Sequence, residues 1–151
     1  HLGNWELLVF GFAALHEPMA YLARPIDNPL IEEMTVKIRT RFGNRPLNKT
    51  NSAMTAIRLL RGGEIVGVLA DVNAHPKEGV FVPFFGIPAC TTAGPATLAI
   101  RTNSLLFPIF CVFDKTEGRY KIVHGEKVEP SATGDREADI DATTAAYTAT
   151  E

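Results

Sequence analysis

Cysteine is scarce in this chain: Cys90 and Cys111 are its only two, far apart and without a Cys-x-x-Cys spacing. That excludes a disulfide scaffold and a cysteine zinc site, and it suits a reducing compartment. No apolar run reaches the roughly 18–20 residues that a membrane span needs. The longest, LLVFGFAAL, has the length of a core helix. A one-sided charge is missing as well. The formal net charge of -2 gives no global electrostatic case for nucleic acid, although KIRTRFGNRP gathers Lys37, Arg39, Arg41 and Arg45 locally. Neither a Gly-x-Ser-x-Gly nucleophile elbow nor a glycine-rich phosphate loop closing on Lys-Ser/Thr occurs.

What is present is an ordinary globular composition. With 46% hydrophobic and 21% charged residues over 151 positions, residues 1–151 can form one domain with a buried core. WELLVFGFAALH reads as a buried helix starting near Asn4 and stopped by Pro18. MAYLARP follows as a short buried strand. PIDNP is a turn, and Asn28-Pro29 opens a helix through PLIEEMTVKIRTRF that Gly43 ends. NSAMTAIRLLRGG is a further helix, with Asn51 or Ser52 as N-cap and Gly62-Gly63 as its stop. EIVGVLAD is the clearest strand, of the continuous aliphatic kind found in sheets covered on both faces.

VNAHPKEGVFVPFFGIPAC, with three prolines and a concentration of aromatics, reads as a long irregular stretch. A helix over CTTAGPATLAIRTN follows, capped by Thr92 or a neighbour, with Pro95 in its first turn. SLLFPIFCVFD and GRYKIVHGEKVEP are strands about the turn DKTEG, and DREADIDATTAAYTATE is a final helix. The expected fold class is a layered α/β domain with a mostly parallel central sheet flanked by helices. The chain begins on His1 rather than Met and stops within a helical stretch, so it is expected to be an internal segment of a longer protein.

The opening word HLGNWE holds the residues of a general base. A carboxylate that binds one imidazole N–H leaves the other ring nitrogen free to take a proton. On a continuous helix, positions five apart lie about 140° apart around the axis, so His1 and Glu6 would face away from each other. They meet if His1 sits in the loop before the helix and Glu6 in its first turn. Gly3 as a loop residue and Asn4 as N-cap support that arrangement. A base at a helix N-terminus also has free backbone N–H groups near any developing negative charge. Glu6 as a simple first-turn stabiliser is the competing account.

HLGNWE is followed in order by ARPIDNPL, RTRFGN, GVLAD, EGVFVPFFGIPACTTAGPA and GDREADI. Together these words resemble the late acyltransferases of lipid A biosynthesis, the lauroyl and myristoyl transferases of the lysophospholipid acyltransferase-like superfamily. The resemblance is collinear and covers essentially the whole chain. It implies that His1, oriented by Glu6, takes a proton from an acceptor hydroxyl. The oxygen then attacks the thioester of an acyl chain on acyl carrier protein, with coenzyme A as the other donor to consider, and no covalent acyl-enzyme forms. No cofactor is implied. The implied partners are acyl carrier protein, a glycolipid acceptor such as a lipid A precursor, and the inner-membrane surface. The implied place is the cytoplasmic face of the bacterial inner membrane, with an N-terminal anchor and a C-terminal segment outside this chain. Within these words, one feature departs from the family pattern: Asp71-Val72 stands where members usually read Asp-Gln. The Phe-Pro-Glu-Gly word that phosphoglycerol acyltransferases of the same superfamily carry in the comparable region does not occur. Its absence tilts the acceptor toward a glycolipid. The alternatives are another acceptor, such as a phosphatidylinositol mannoside or an ornithine-type lipid, and a non-catalytic lipid-binding module, which would have no need of both His1 and Glu6.

By the same resemblance, Arg24 and Asp27, at the end of a strand, contact an anionic substrate group, a lipid phosphate or phosphopantetheine. A turn salt bridge between them is the other reading. Arg39 and Arg41 do not share a helical face. Arg41 is preferred for a phosphate because RFGN is the tighter match. Asp71, at another strand end, is assigned to substrate organisation. Asp71, Asn73 and His75 form an Asp-x-Asn-x-His pattern, but no metal is expected, because no further ligand cluster joins it and thioester transfer does not need one. GVFVPFFG is too apolar for an ordinary exposed loop, and acyl tunnel wall, membrane-facing surface and core all remain open for it. His16, His75 and His124 read as surface or core residues.

Overall fold

The computed structural model describes residues 3–47 and 52–150; His1, Leu2, residues 48–51 and Glu151 lie outside the described residues. The fold is mixed α/β, with five helices and a parallel three-stranded sheet among the described residues. By contacts the chain divides into two compact units, residues 1–69 with 110–123, and residues 70–109 with 124–151.

The first unit begins with helix α1 (Trp5–Leu15). Asn4 caps it as expected, its side chain accepting the Leu7 N–H at 3.0 Å. Strand β1 (Ala20–Leu22) is the middle of the sheet, parallel to β2 (Arg45–Pro46) on one side and to β3 (Val66–Val68) on the other. Helix α2 (Pro29–Arg39) crosses between β1 and β2, and α3 (Ser52–Arg61) between β2 and β3, because parallel neighbours need such crossovers. Asn28 caps α2 through the Leu30 and Ile31 N–H groups, with Pro29 opening the helix. The expected capping alternative Asn51 lies outside the described residues. Strands β6 (Ile109–Asp114) and β7 (Arg119–His124) pair about the expected turn, where Asp114 accepts the N–H groups of Thr116 and Glu117.

The second unit corrects the reading of the long irregular stretch. Residues Gly79–Phe84 (β4) and Ile87–Thr92 (β5) form an antiparallel hairpin. Its two-residue turn, Phe85-Gly86, has positive φ at both positions (49° and 79°), as hairpin turns that match strand twist require. The prolines argued against strands, yet the register places Pro83 opposite Pro88. Counting from the closing pair Phe84–Ile87, this is a non-hydrogen-bonded pair whose N–H groups would point outward, so no ladder bond is lost. Helix α4 (Gly94–Thr102) carries Pro95 early, as expected, but its N-cap is Ala93 without a side-chain cap bond; Thr92 accepts the Gly94 N–H instead. Helix α5 (Arg136–Thr148) is capped by Asp135. Ala96, Val128 and Tyr147 form the core, with Ala70, Leu106 and Ile140 packed around them.

Within α5, Asp139 is buried and collects four donors: Ser131 Oγ at 2.8 Å, Thr133 Oγ1 at 2.8 Å, Thr133 N at 2.9 Å and Gly134 N at 3.2 Å. These donors, the Thr133 N–H foremost, hold the carboxyl below its ordinary value of 3.8 against the opposing effect of burial. A carboxyl depressed in the native state binds fewer protons there than in the unfolded chain. Its stabilisation is therefore present above the ordinary value and lost as pH falls through the native one. Asp139→Asn should remove that dependence. Thermal melts taken down the acid limb should show the variant falling less steeply than the parent; parallel curves would contradict the assignment.

Candidate active site

Glu6 occupies the first turn of α1, where the helix dipole favours an anion, and Arg39 ends α2, where it favours a cation. The two helix ends meet through these side chains. Arg39 donates from Nε to Glu6 Oε2 at 2.8 Å and from Nη2 to Glu6 Oε1, a bidentate fork. Its guanidinium carbon lies 4.4 Å from the Trp5 ring centroid and 5.8 Å from that of Tyr21. Arg39 is only 3% exposed, whereas Glu6 keeps 43% of its side chain accessible. The Glu6 bond foremost raises the Arg39 pKa above its ordinary value, so the guanidinium is charged at every working pH. Burial raises the Tyr21 phenol, and Arg39 pulls it partly back.

Asn44 secures the backbone around this pair. Its buried carboxamide donates to Val9 O at 2.8 Å and Arg39 O at 3.0 Å, and accepts the Met19 N–H at 2.9 Å. One side chain thus ties α1, the end of α2 and the approach to β1. On the other flank, Asn4 N–H donates to Cys111 O at 2.8 Å. Gly3, at φ +72°, lies so close that a Cβ would sit 2.3 Å from that same oxygen. Only glycine fits there, which fixes the chain two residues after His1. His1 itself lies outside the described residues.

Two open clefts flank the start of α1. One, about 440 Å³, is lined by Asn4, Glu6, Leu7, Phe10, Thr35 and Ile38. The other, about 540 Å³, is lined by Gly3, Asn4, Trp5, Cys111, Phe113 and Tyr120. Arg24 donates to Asp27 at 3.0 Å in the loop after β1, both side chains being exposed, so the turn ion pair is present and contributes little to stability. Arg41 is exposed with its guanidinium 5.9 Å from the Phe42 ring. Asp71 belongs to the second unit and is partly buried. Nearby in sequence, Asn73 bridges to Thr91 and His75 Nδ1 accepts the Lys77 N–H at 3.2 Å. Sequence reasoning passed over Arg39 in favour of Arg41. In the structure it shares with Glu32 and Val36 the less exposed face of α2, which no apolar periodicity marks in the sequence.

These features coincide with a known family. The chain matches the family model of bacterial lipid A biosynthesis acyltransferases over residues 1–149, and it belongs to that family. It is 32% identical over 111 residues to the lipid A biosynthesis lauroyltransferase of Escherichia coli K12, covering 72% of this chain and 36% of that protein. A lipid A biosynthesis acyltransferase of Haemophilus influenzae is 32% identical over 110 residues, 72% of this chain and 35% of the relative. The phosphatidylinositol mannoside acyltransferase of Mycobacterium tuberculosis H37Rv is 25% identical over 118 residues, 76% of this chain and 37% of the relative. The chain spans about a third of the length of these relatives.

The unequal burial of the ion pair predicts unequal costs. Glu6→Ala strands a buried guanidinium, which should cost about 2–3 kcal/mol. Arg39→Met leaves a carboxylate that already reaches water and fills the space between Trp5 and Tyr21, so it should cost about 1 kcal/mol or less. Urea denaturation of both variants checks the order, and a larger loss for Arg39→Met would refute the account.

Proposed function

We propose that this chain carries out O-acyl transfer from acyl carrier protein to a hydroxyl of a lipid A-type glycolipid, at the cytoplasmic face of the bacterial inner membrane. The observation that carries this reading is the Glu6–Arg39 fork beside a cleft walled by Leu7, Phe10 and Ile38, read with family membership. A carboxylate offers about four lone-pair sites. Arg39 takes one on each oxygen, and the remainder serve a donor on the open side.

In the proposed mechanism that donor is a ring N–H of His1, whose other nitrogen removes the proton from the acceptor hydroxyl. The oxygen attacks the thioester carbonyl, the tetrahedral adduct collapses, and the carrier's thiolate leaves and takes the proton back from the imidazolium. Arg39 is a positioning residue that holds Glu6 in one rotamer. Backbone N–H groups in the first turn of α1 favour the developing oxyanion. Arg24 with Asp27, Arg41 and Asp71 are assigned to phosphate and substrate contacts. The apolar cleft walls suit an acyl chain, each buried methylene contributing about 0.8 kcal/mol. No step requires a metal or cofactor. The likeness to a phosphatidylinositol mannoside acyltransferase supports the same chemistry on another glycolipid as the second reading.

The test follows labelled acyl transfer from acyl carrier protein to a lipid A precursor by the full-length protein. His1→Ala should lower kcat/KM by about 10²–10⁴-fold with circular dichroism unchanged. Equal transfer by parent and variant would end the general-base role. Transfer to a phosphatidylinositol mannoside but not to the lipid A precursor would move the acceptor to the second reading, and no transfer to either would favour a lipid-binding module.

A further inference from the structure

The β4–β5 hairpin has a surface that the acyl-transfer chemistry leaves unused. Phe81 is 65% exposed, Phe85 83% and Ile87 70%, and no charged residue occurs from Gly79 to Ile100. Pro83 and Pro88 are exposed too and face each other in the register. Because their pair is non-hydrogen-bonded, an ordinary residue at either position would point an N–H group away from the hairpin. The two prolines delete both of those outward donors. Backbone donors are costly wherever water is absent, so the prolines lower the polarity of the outward backbone edges beside the tip. Phe85 sharpens the point. A bulky residue at φ 49° is an outlier, and Asn or Gly would relax it. Such strain at an exposed position points to a use for the ring itself.

We propose that this hairpin tip is a membrane-docking element, with Phe85 and Ile87 immersed at the boundary between headgroups and acyl chains of a bilayer. The proposal rests on the reading that the acceptor is a membrane lipid, and it names the surface that meets the membrane. A protein partner fits the observations less well. A phenylalanine offers about 150–250 Å², so the two exposed tip side chains present roughly 300 Å², well under half of what each side of a stable protein interface needs. A bilayer demands neither that area nor shape complementarity. It rewards exposed apolar side chains with no charge among them.

A local probe separates this contact from any other membrane attachment. In the full-length protein, an environment-sensitive fluorophore on Phe85→Cys is compared with the same label on Lys115→Cys, at the exposed β6–β7 turn, with vesicles of phosphatidylethanolamine and phosphatidylglycerol. Emission at position 85 should shift to the blue on vesicle addition and be quenched by brominated acyl chains, with no change at position 115. No vesicle response at 85, or a label already shielded before vesicles are added, would overturn the proposal, the latter pointing to another segment or a second copy as the occupant. The variant Phe85→Asn/Ile87→Thr keeps strand preference and relaxes the turn, so it should fold. Transfer to acceptor embedded in vesicles should drop about ten-fold or more, while transfer to detergent-dispersed acceptor stays within about two-fold. Equal loss on both acceptors would refute docking. If the parent transfers to neither, the acyltransferase reading fails and the fluorophore still decides the membrane contact.

Discussion

A guanidinium that is almost wholly buried needs a counter-charge, faces to pack against and a fixed backbone, and the arrangement around Arg39 supplies all three. Glu6 gives the charge in bidentate geometry, Trp5 and Tyr21 flank the plane, and Asn44 pins the Arg39 carbonyl. Each requirement recruits a different element. Trp5 and Glu6 come from the start of α1, Arg39 from the end of α2, and Tyr21 from the central strand β1. Their meeting also pairs the positive end of one helix dipole with a carboxylate and the negative end of another with a cation. Much of the first unit's architecture therefore converges on one charge.

Such a pair is a poor way to gain stability, because desolvating the ions offsets most of their attraction. What it gives is position. A glutamate alone in a first helical turn samples several rotamers in water. Held by two N–H groups of a rigid fork, it keeps one, and its remaining lone pairs face a defined direction. That is the property a carboxylate needs in order to orient an imidazole.

Much of this was legible in the sequence where local chemistry decides structure. Asn4 and Asn28 announced two helix starts, because a short side-chain oxygen before a periodic stretch satisfies the first free N–H groups. The order of helices and strands followed, as did the α/β class. The β4–β5 hairpin escaped because its turn uses Phe85 where Asn or Gly is the usual signal, and because prolines count against strands until the register shows which way their N–H groups would point. Arg39 escaped for a related reason. In α2 the residues left exposed include Leu30, Ile31, Met34 and Ile38, while Glu32, Val36 and Arg39 are the more covered ones. A helix whose apolar face points outward defeats periodicity as a guide to its interior. His1 was singled out by sequence and lies outside the described residues, which begin at Gly3.

The asymmetry of the ion pair would let one charged site serve the amphiphilic substrates of the proposed acyl transfer. Were both partners sealed, the carboxylate could not reach a third group; were both open, water would screen the pair and loosen it. Here the cation is sealed at 3% exposure and the anion is left 43% open, beside a cleft whose other walls include Leu7, Phe10 and Ile38. An acyl chain laid along those walls would displace water from the open side of Glu6. The local dielectric would then fall when substrate is present, and the carboxylate's hold on its neighbours would strengthen at that moment. On the proposed reading, binding of the apolar part of the substrate and readiness of the polar site would thus be coupled through the same few side chains.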